Sequence, residues 1–351
     1  MASATMKLEP LALAPEYSIT SLLENGVSMG FALIVHGGAG TIGRDRYDEA
    51  QEGCRSAALA GWEILLQGGS ALDAVQAAIV ALEDNPSFNA GNGAVLTEDG
   101  HAQLDAGLMD GNTLDVGAVA GVERIKNPIV LARSILTSPH VMLAGTGAET
   151  FAENNGIPVY EASELITQAQ YARWRRGYRA GDDVNAATPP DPVTAPAHRK
   201  KAARNPDAGL VHMDGHKHGT VGAVAVDREG RTAAGASTGG IAAKHPGRIG
   251  DTPIPGCGYY AEDGLGGVAS TGHGEDFIRL VLARRALDFL AAGYSAQAAA
   301  SAAIRLLDLR VNGRGGLILL DAEGRVGYAR NTLTMAHAFM CEGMSSIQAG
   351  V

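Results

Sequence analysis

The stretch His218-Gly219-Thr220-Val221-Gly222-Ala223-Val224-Ala225-Val226-Asp227 changes character abruptly at its third residue. From Thr220 onward it is a run of small and β-branched residues, closed by the hairpin signal Asp227-Arg228-Glu229-Gly230. What comes before is of another kind. Residues 183–219 hold five prolines, the basic run His198-Arg199-Lys200-Lys201 and almost no apolar periodicity. Such a composition buries too little surface to offset its ordering entropy, so it reads as a flexible linker. A linker of this length inside a domain calls for a function, and this one ends at a Gly–Thr bond.

That bond has a chemistry of its own. A threonine hydroxyl is a poor nucleophile until a base takes its proton. An N-terminal threonine carries the base itself, because a free α-amine titrates at roughly 7.7–8.0. A break between Gly219 and Thr220 would create that arrangement. Glycine also tolerates the strained backbone that presents its carbonyl to the Thr220 hydroxyl. A lone Gly-Thr-Val triplet would equally suit a plain strand start, so the surrounding sequence decides.

Working outward, Phe31–Val35 reads as a buried strand ending in His36-Gly37-Gly38-Ala39-Gly40. A helix is predicted over about 46–67, closed by Gly68-Gly69. Ser70 then looks like an N-cap with Asp73 as its capping-box acid, Leu72, Val75, Ile79 and Leu82 share one helical face, and Pro86 ends the helix. Residues 94–120 are β-like, with a turn at Glu98-Asp99-Gly100. A second helical pair is predicted over about 275–308, broken at Gly293-Tyr294-Ser295, and a further hairpin at Asp321-Ala322-Glu323-Gly324. Two halves, each with strands and a helix pair, suggest sheets packed face to face with helices outside.

Composition sets limits. The chain has 351 residues, 47 glycines and only 5% aromatic residues, which favours close backbone approaches over a bulky core. A net charge of −10 argues against nucleic acid as partner and gives no support for binding an acidic membrane surface. No apolar run is long enough to span a bilayer. Residues 1–30 lack the features of a secretory signal and read as a dispensable extension. Cys54, Cys257 and Cys341 show no metal-type spacing and suit a reducing compartment, so the expected location is the cytoplasm.

The blocks around Thr220 carry a resemblance. His36–Gly40, Pro86-Ser87-Phe88-Asn89-Ala90-Gly91, Leu104-Asp105-Ala106 to Met109-Asp110-Gly111, His218–Val224, Ser237-Thr238-Gly239-Gly240, Pro246-Gly247-Arg248-Ile249-Gly250-Asp251 and Ser270-Thr271-Gly272-His273-Gly274-Glu275 resemble those of plant-type asparaginases and isoaspartyl peptidases. The likeness covers most of residues 31–308, in order and at compatible spacings. It implies an α+β fold, the αββα four-layer sandwich of the N-terminal-nucleophile hydrolases, made as one chain and self-cleaved at Gly219–Thr220. Residues 31–182 and 220–351 would supply the two parts of that domain and assemble as (αβ)2. The substrate implied is L-asparagine or a β-aspartyl dipeptide, with no cofactor for catalysis.

By the same resemblance Thr220 is the nucleophile and Thr238 orients it. Thr271 and Gly272 form an oxyanion hole, whose fixed donors would steady the tetrahedral intermediate. Arg248 would fork onto the substrate carboxylate, and Asp251 would hold its ammonium with help from the Gly274 carbonyl. Asn89 stands beside the nucleophile. The loop through Leu82, Glu83, Phe88, Ala90 and Asn92 matches one that holds a structural sodium through carbonyls, with Asn92 where some relatives carry an apolar residue.

Other readings are weaker. The glycine-rich segments at 36–40 and 145–147 have neither P-loop nor dinucleotide spacing. His212, His216 and His218 could be imagined around a metal, but solvated linker residues are the default. A non-cleaving binding module is the rival from another class. Glycosylasparaginase is disfavoured by Gly239, and the endopeptidase branch by Arg248 and Asp251, which point to a small zwitterion.

Overall fold

Nine residues, Ala32–Gly40, form the first strand, and their alternation explains the layering of the molecule. Ala32 and Ile34 face one hydrophobic core, Leu33 and Val35 another, so the strand is buried on both sides. The computed structural model describes residues 30–178 and 219–351. The N-terminal extension up to residue 29, nearly all of the linker, and with it His212, His216, His218 and the basic run, lie outside the described residues.

The elements are β1 (Ala32–Gly40), α1 (Tyr47–Leu66), α2 (Ala71–Asp84), β2 (Leu104–Asp110), β3 (Val116–Val122), α3 (Pro128–Leu136), β4 (Met142–Ala144), α4 (Gly145–Asn154) and α5 (Gln168–Tyr178). After the linker come β5 (Val221–Val226), β6 (Thr232–Thr238), β7 (Tyr259–Glu262), β8 (Gly266–Gly272), α6 (Gly274–Leu280), α7 (Leu282–Ala291), α8 (Ala296–Val311), β9 (Gly315–Asp321), β10 (Val326–Arg330), β11 (Thr334–Cys341) and β12 (Gln348–Gly350).

The larger sheet runs β12-β11-β1-β5-β6-β2-β3-β4, antiparallel except for the β3–β4 pair, and the smaller runs β10-β9-β8-β7. Leu33, Val35, Val221, Ala223 and Ala225 turn toward α1 and α2, whereas Ile34, Val224, Val226, Ile318 and Leu320 meet between the sheets. Leu317 and Leu319 face the opposite way, into a third core with α7 and α8. Strands buried on both faces thus sort alternate side chains into different cores, which is why small residues dominate them.

Local signals behave as the chemistry demands, with four differences. Ser70 caps α2 by accepting from Asp73 N, but its hydroxyl donates to the Asp73 carboxylate, so the acid grips the cap side chain. β1 does not end at Val35. It continues through the glycines by means of a register shift between His36 and Ala39, which Gly38 permits at φ +106. The β-like stretch before Leu104 pairs with no strand among the described residues. Ala243 N donates to Leu96 O and Glu98 N to Lys244 O, so its backbone is satisfied by the 243–244 loop instead.

The 275–308 region holds three helices, because Val281 sits in the left-handed region at φ +52 between α6 and α7. Ser295 caps α8 as Ser70 caps α2. Asp227 and Asp321 close the two hairpins identically, each Oδ1 accepting two backbone N–H groups of its own turn. No helix among the described residues is long and apolar enough to cross a membrane.

Candidate active site

β5 is central in the larger sheet, and Thr220 stands immediately before it, only 6% exposed. The residue ahead, Gly219, has φ +133, and a Cβ there would run into the Gly38 backbone. Val221 pairs with Ser237, so Thr238 at the end of β6 lies one step further on, across from Thr220. The neighbouring end of β1 continues the cluster. Gly38 abuts Gly219, and Ala39 N donates to Thr271 Oγ1 at 3.2 Å, which ties the end of β8 to the same place. That bond uses Thr271 as acceptor and leaves its hydroxyl proton to donate elsewhere.

The hydroxyl that meets Thr220 is that of Thr252, at 3.2 Å. Thr238 Oγ1 instead accepts from Gly240 N at 2.9 Å, within its own turn. Asn89 holds that turn from the other side. Its Nδ2 donates to Gly240 O at 2.6 Å, its carbonyl oxygen accepts from Gly239 N, and its Oδ1 accepts from Val95 N. Thr252 lies just past the end of the Pro246–Asp251 block, so its position is the only sequence signal for it.

Arg248 does not pair with Asp251. Its Nε and Nη2 donate to the two oxygens of Glu275 at 2.9 and 2.7 Å, a two-pronged grip on a carboxylate. Burial pushes Glu275 up, but the hydrogen bonds and charge of Arg248 outweigh it and hold the carboxyl below its ordinary range. Asp251 is 2% exposed, and burial lifts it to about 7, tempered by its own N–H, by Arg248 and by Ser270. Gly274 lies flat against it: a Cβ there would stand 2.8 Å from Asp251 Oδ1. Gly272, two residues earlier, is equally hemmed in by Arg314 O and the Phe277 ring.

In the loop after α2, Glu83 O faces Gly91 and Pro86 O faces Gly93, each 2.7 Å from where a Cβ would sit, and Phe88 O also crowds Gly93. Ala90 O accepts from Gly93 N, and Asn92 Nδ2 donates to Asp84 O at 3.5 Å. Among the described residues no group of three or more His, Cys, Asp or Glu side chains could hold a metal. The oxygens gathered here are carbonyls, which suit a hard cation.

The Glu83 side chain has a separate task. Its Oε1 accepts from Ser237 Oγ at 2.6 Å and Ile129 N at 3.1 Å, and burial raises its pKa to about 8. Below about 4.5 the group is protonated folded and unfolded alike. Between there and about 8 only the folded chain keeps the proton, so Glu83 makes stability fall as pH rises, by about 1.4 kcal/mol per unit. Glu83→Gln keeps an acceptor for both donors and is expected to flatten this part of the Tm–pH curve. An unchanged slope would assign the pH dependence to another group.

A family model described as Asparaginase matches residues 29–348. A plant-type L-asparaginase of Pyrococcus abyssi is 44% identical over 327 residues, covering 91% of this chain and 99% of the relative. Isoaspartyl peptidase/L-asparaginases of Danio rerio and Bos taurus are each 39% identical, over 312 and 317 residues. These cover 89% and 90% of this chain, and 92% and 94% of the relatives. The enzyme is a hydrolase. Its chain belongs to the asparaginase family.

Proposed function

We propose that this chain is made as a precursor, cuts itself after Gly219, and then hydrolyses the side-chain amide of L-asparagine or the isopeptide bond of β-aspartyl dipeptides. The observation that carries the reading is Thr220 itself. It is buried at the head of the central strand, behind a glycine at positive φ, with Asp251, Gly274 and Arg248 gathered on the adjoining segments. The names of the relatives supply the substrate class.

In maturation the Thr220 hydroxyl adds to the Gly219 carbonyl and the C–N bond breaks, freeing the Thr220 amine; water then cleaves the resulting ester, which releases Gly219 as a carboxylate and restores the hydroxyl. That amine then serves as base in turnover. The hydroxyl attacks the substrate's side-chain carbonyl, ammonia or the peptide amine leaves, and water hydrolyses the aspartyl ester to L-aspartate. The Thr271 hydroxyl and Gly272 N–H hold the oxyanion, and Thr238 and Asn89 orient the nucleophile. Arg248 must release Glu275 to take the substrate carboxylate. A substrate ammonium beside Asp251 would favour the ionised acid, drawing off the proton that burial retains.

The two packed sheets with helices on their outer faces support the αββα sandwich of the N-terminal-nucleophile type, and the family reading extends to an (αβ)2 assembly. The carbonyl loop from Leu82 to Asn92 is proposed to hold a structural sodium. Three unpaired cysteines accord with a cytoplasmic setting.

Intact-mass analysis after incubation, followed by assays on L-asparagine and a β-aspartyl dipeptide, tests the proposal. Two fragments split after Gly219 and release of L-aspartate are expected. A chain that stays whole, or a split chain inactive on both substrates, would overturn it.

A further inference from the structure

Behind the Thr238–Gly240 turn the molecule buries two opposite charges that the reaction outlined above does not use. The side chains of Lys244 and Asp105 are both 0% exposed, with Nζ 3.9 Å from Oδ2. Lys244 Nζ donates to Gln103 O at 2.7 Å, and Asp105 Oδ1 accepts from Gly121 N at 2.8 Å. Asp105 Oδ2 has no hydrogen-bond partner among the described residues. Burial pushes Asp105 up and Lys244 down, and each charge resists the other's shift. Two apolar side chains of similar size would usually stabilise a fold as well or better, so the placement of this pair calls for a reason.

Its surroundings supply one. Asp105 is the cross-strand partner of Thr238. The Lys244 side chain lies along Gly240, where a Cβ would stand 2.8 Å from both Cδ and Nζ. Gly240 in turn donates its N–H to Thr238 Oγ1, and its carbonyl accepts from Asn89 Nδ2. Gln103, whose carbonyl receives Nζ, also takes Gly247 N on its side-chain oxygen at 2.8 Å, next to Arg248. The ion pair therefore underlies the turn that carries Thr238, the asparagine that holds this turn, and the start of the Arg248–Asp251 segment.

We infer that the Lys244–Asp105 pair is a positioning device, which clamps the Gly240 turn and keeps Thr238 and Asn89 in register with Thr220. The inference rests on the reading of Thr220 as the nucleophile. An ammonium with three donors, fixed between a carboxylate and a carbonyl, defines a direction that an apolar contact would not. Sub-ångström placement of the groups around a nucleophile is what such a clamp would secure.

The test compares wild type with Lys244→Met and with Lys244→Met/Asp105→Asn. It reads Tm, kcat and KM for L-asparagine, and hydrogen exchange over residues 238–248. Lys244→Met strands a buried acid and is expected to lower Tm, and the double variant to regain most of it. Both are expected to lose about 10- to 100-fold in kcat with KM within about threefold, and to exchange faster at the turn. If the single variant fails to fold, the double still decides. A double variant that regains Tm, kcat and slow exchange together would reduce the pair to a fixture of the fold. Should wild type prove inactive, the nucleophile reading fails, and exchange at the turn alone reports whether the clamp exists.

Discussion

Thr220→Ala is expected to give a chain that stays whole on prolonged incubation and turns over neither L-asparagine nor a β-aspartyl dipeptide. In the proposed mechanism one hydroxyl supplies both reactions, so one substitution would remove both. Loss of a nucleophile that acts with its base as a unit costs on the order of a millionfold in kcat. Stability should change little, because the one side-chain hydrogen bond of Thr220 among the described residues, with Thr252, is worth about 0.5–1.5 kcal/mol. Thr220→Ser supplies the contrast. It keeps the attacking oxygen and is expected to cleave and turn over, more slowly, since serine lacks the methyl that restricts χ1. Intact mass and Tm measured on the same samples separate lost chemistry from lost folding. An alanine variant that still splits after Gly219 would move the nucleophile elsewhere.

Much of the placement of the candidate residues could be read from the chain, because they sit at the ends of strands whose pattern is plain. Thr220 opens a run of small β-formers, and Asp227 closes it with a side chain that accepts two backbone donors of its own turn. Ser70 and Ser295 announce their helices by the same local logic. Signals of this kind act within four residues, and sequence carries them well. What it carries poorly is pairing across distance. Thr252 meets Thr220 from 32 positions away, and Glu275 takes the Arg248 fork from 27 away. Neither residue type is unusual where it stands. Lys244 and Asp105 are 139 residues apart, and a lysine in a loop gives no hint that its charge is fully buried. The stretch before Leu104 misled for a related reason: its apolar run Ala94-Val95-Leu96 suits a strand, but the backbone it finds opposite is a loop at 243–244.

Arg248→Ala is expected to produce the second large loss, expressed chiefly in KM. The fork now holding Glu275 is the one proposed for the substrate carboxylate, a group remote from the bond that breaks. Contacts made equally in the bound substrate and the transition state act on KM. Removing one partner of a buried hydrogen-bonded charge pair costs about 2–5 kcal/mol, so kcat/KM should fall about 30- to 4000-fold. Arg248→Lys keeps the charge but loses the planar fork and should fall between the two. Glu275→Gln separates two roles for the partner. A neutral amide releases the arginine more readily, so if Glu275 competes with substrate, KM drops. If Glu275 instead aims the guanidinium, KM rises. The competing role is the one expected, because the grip on Glu275 already fills both prongs that a substrate carboxylate would need.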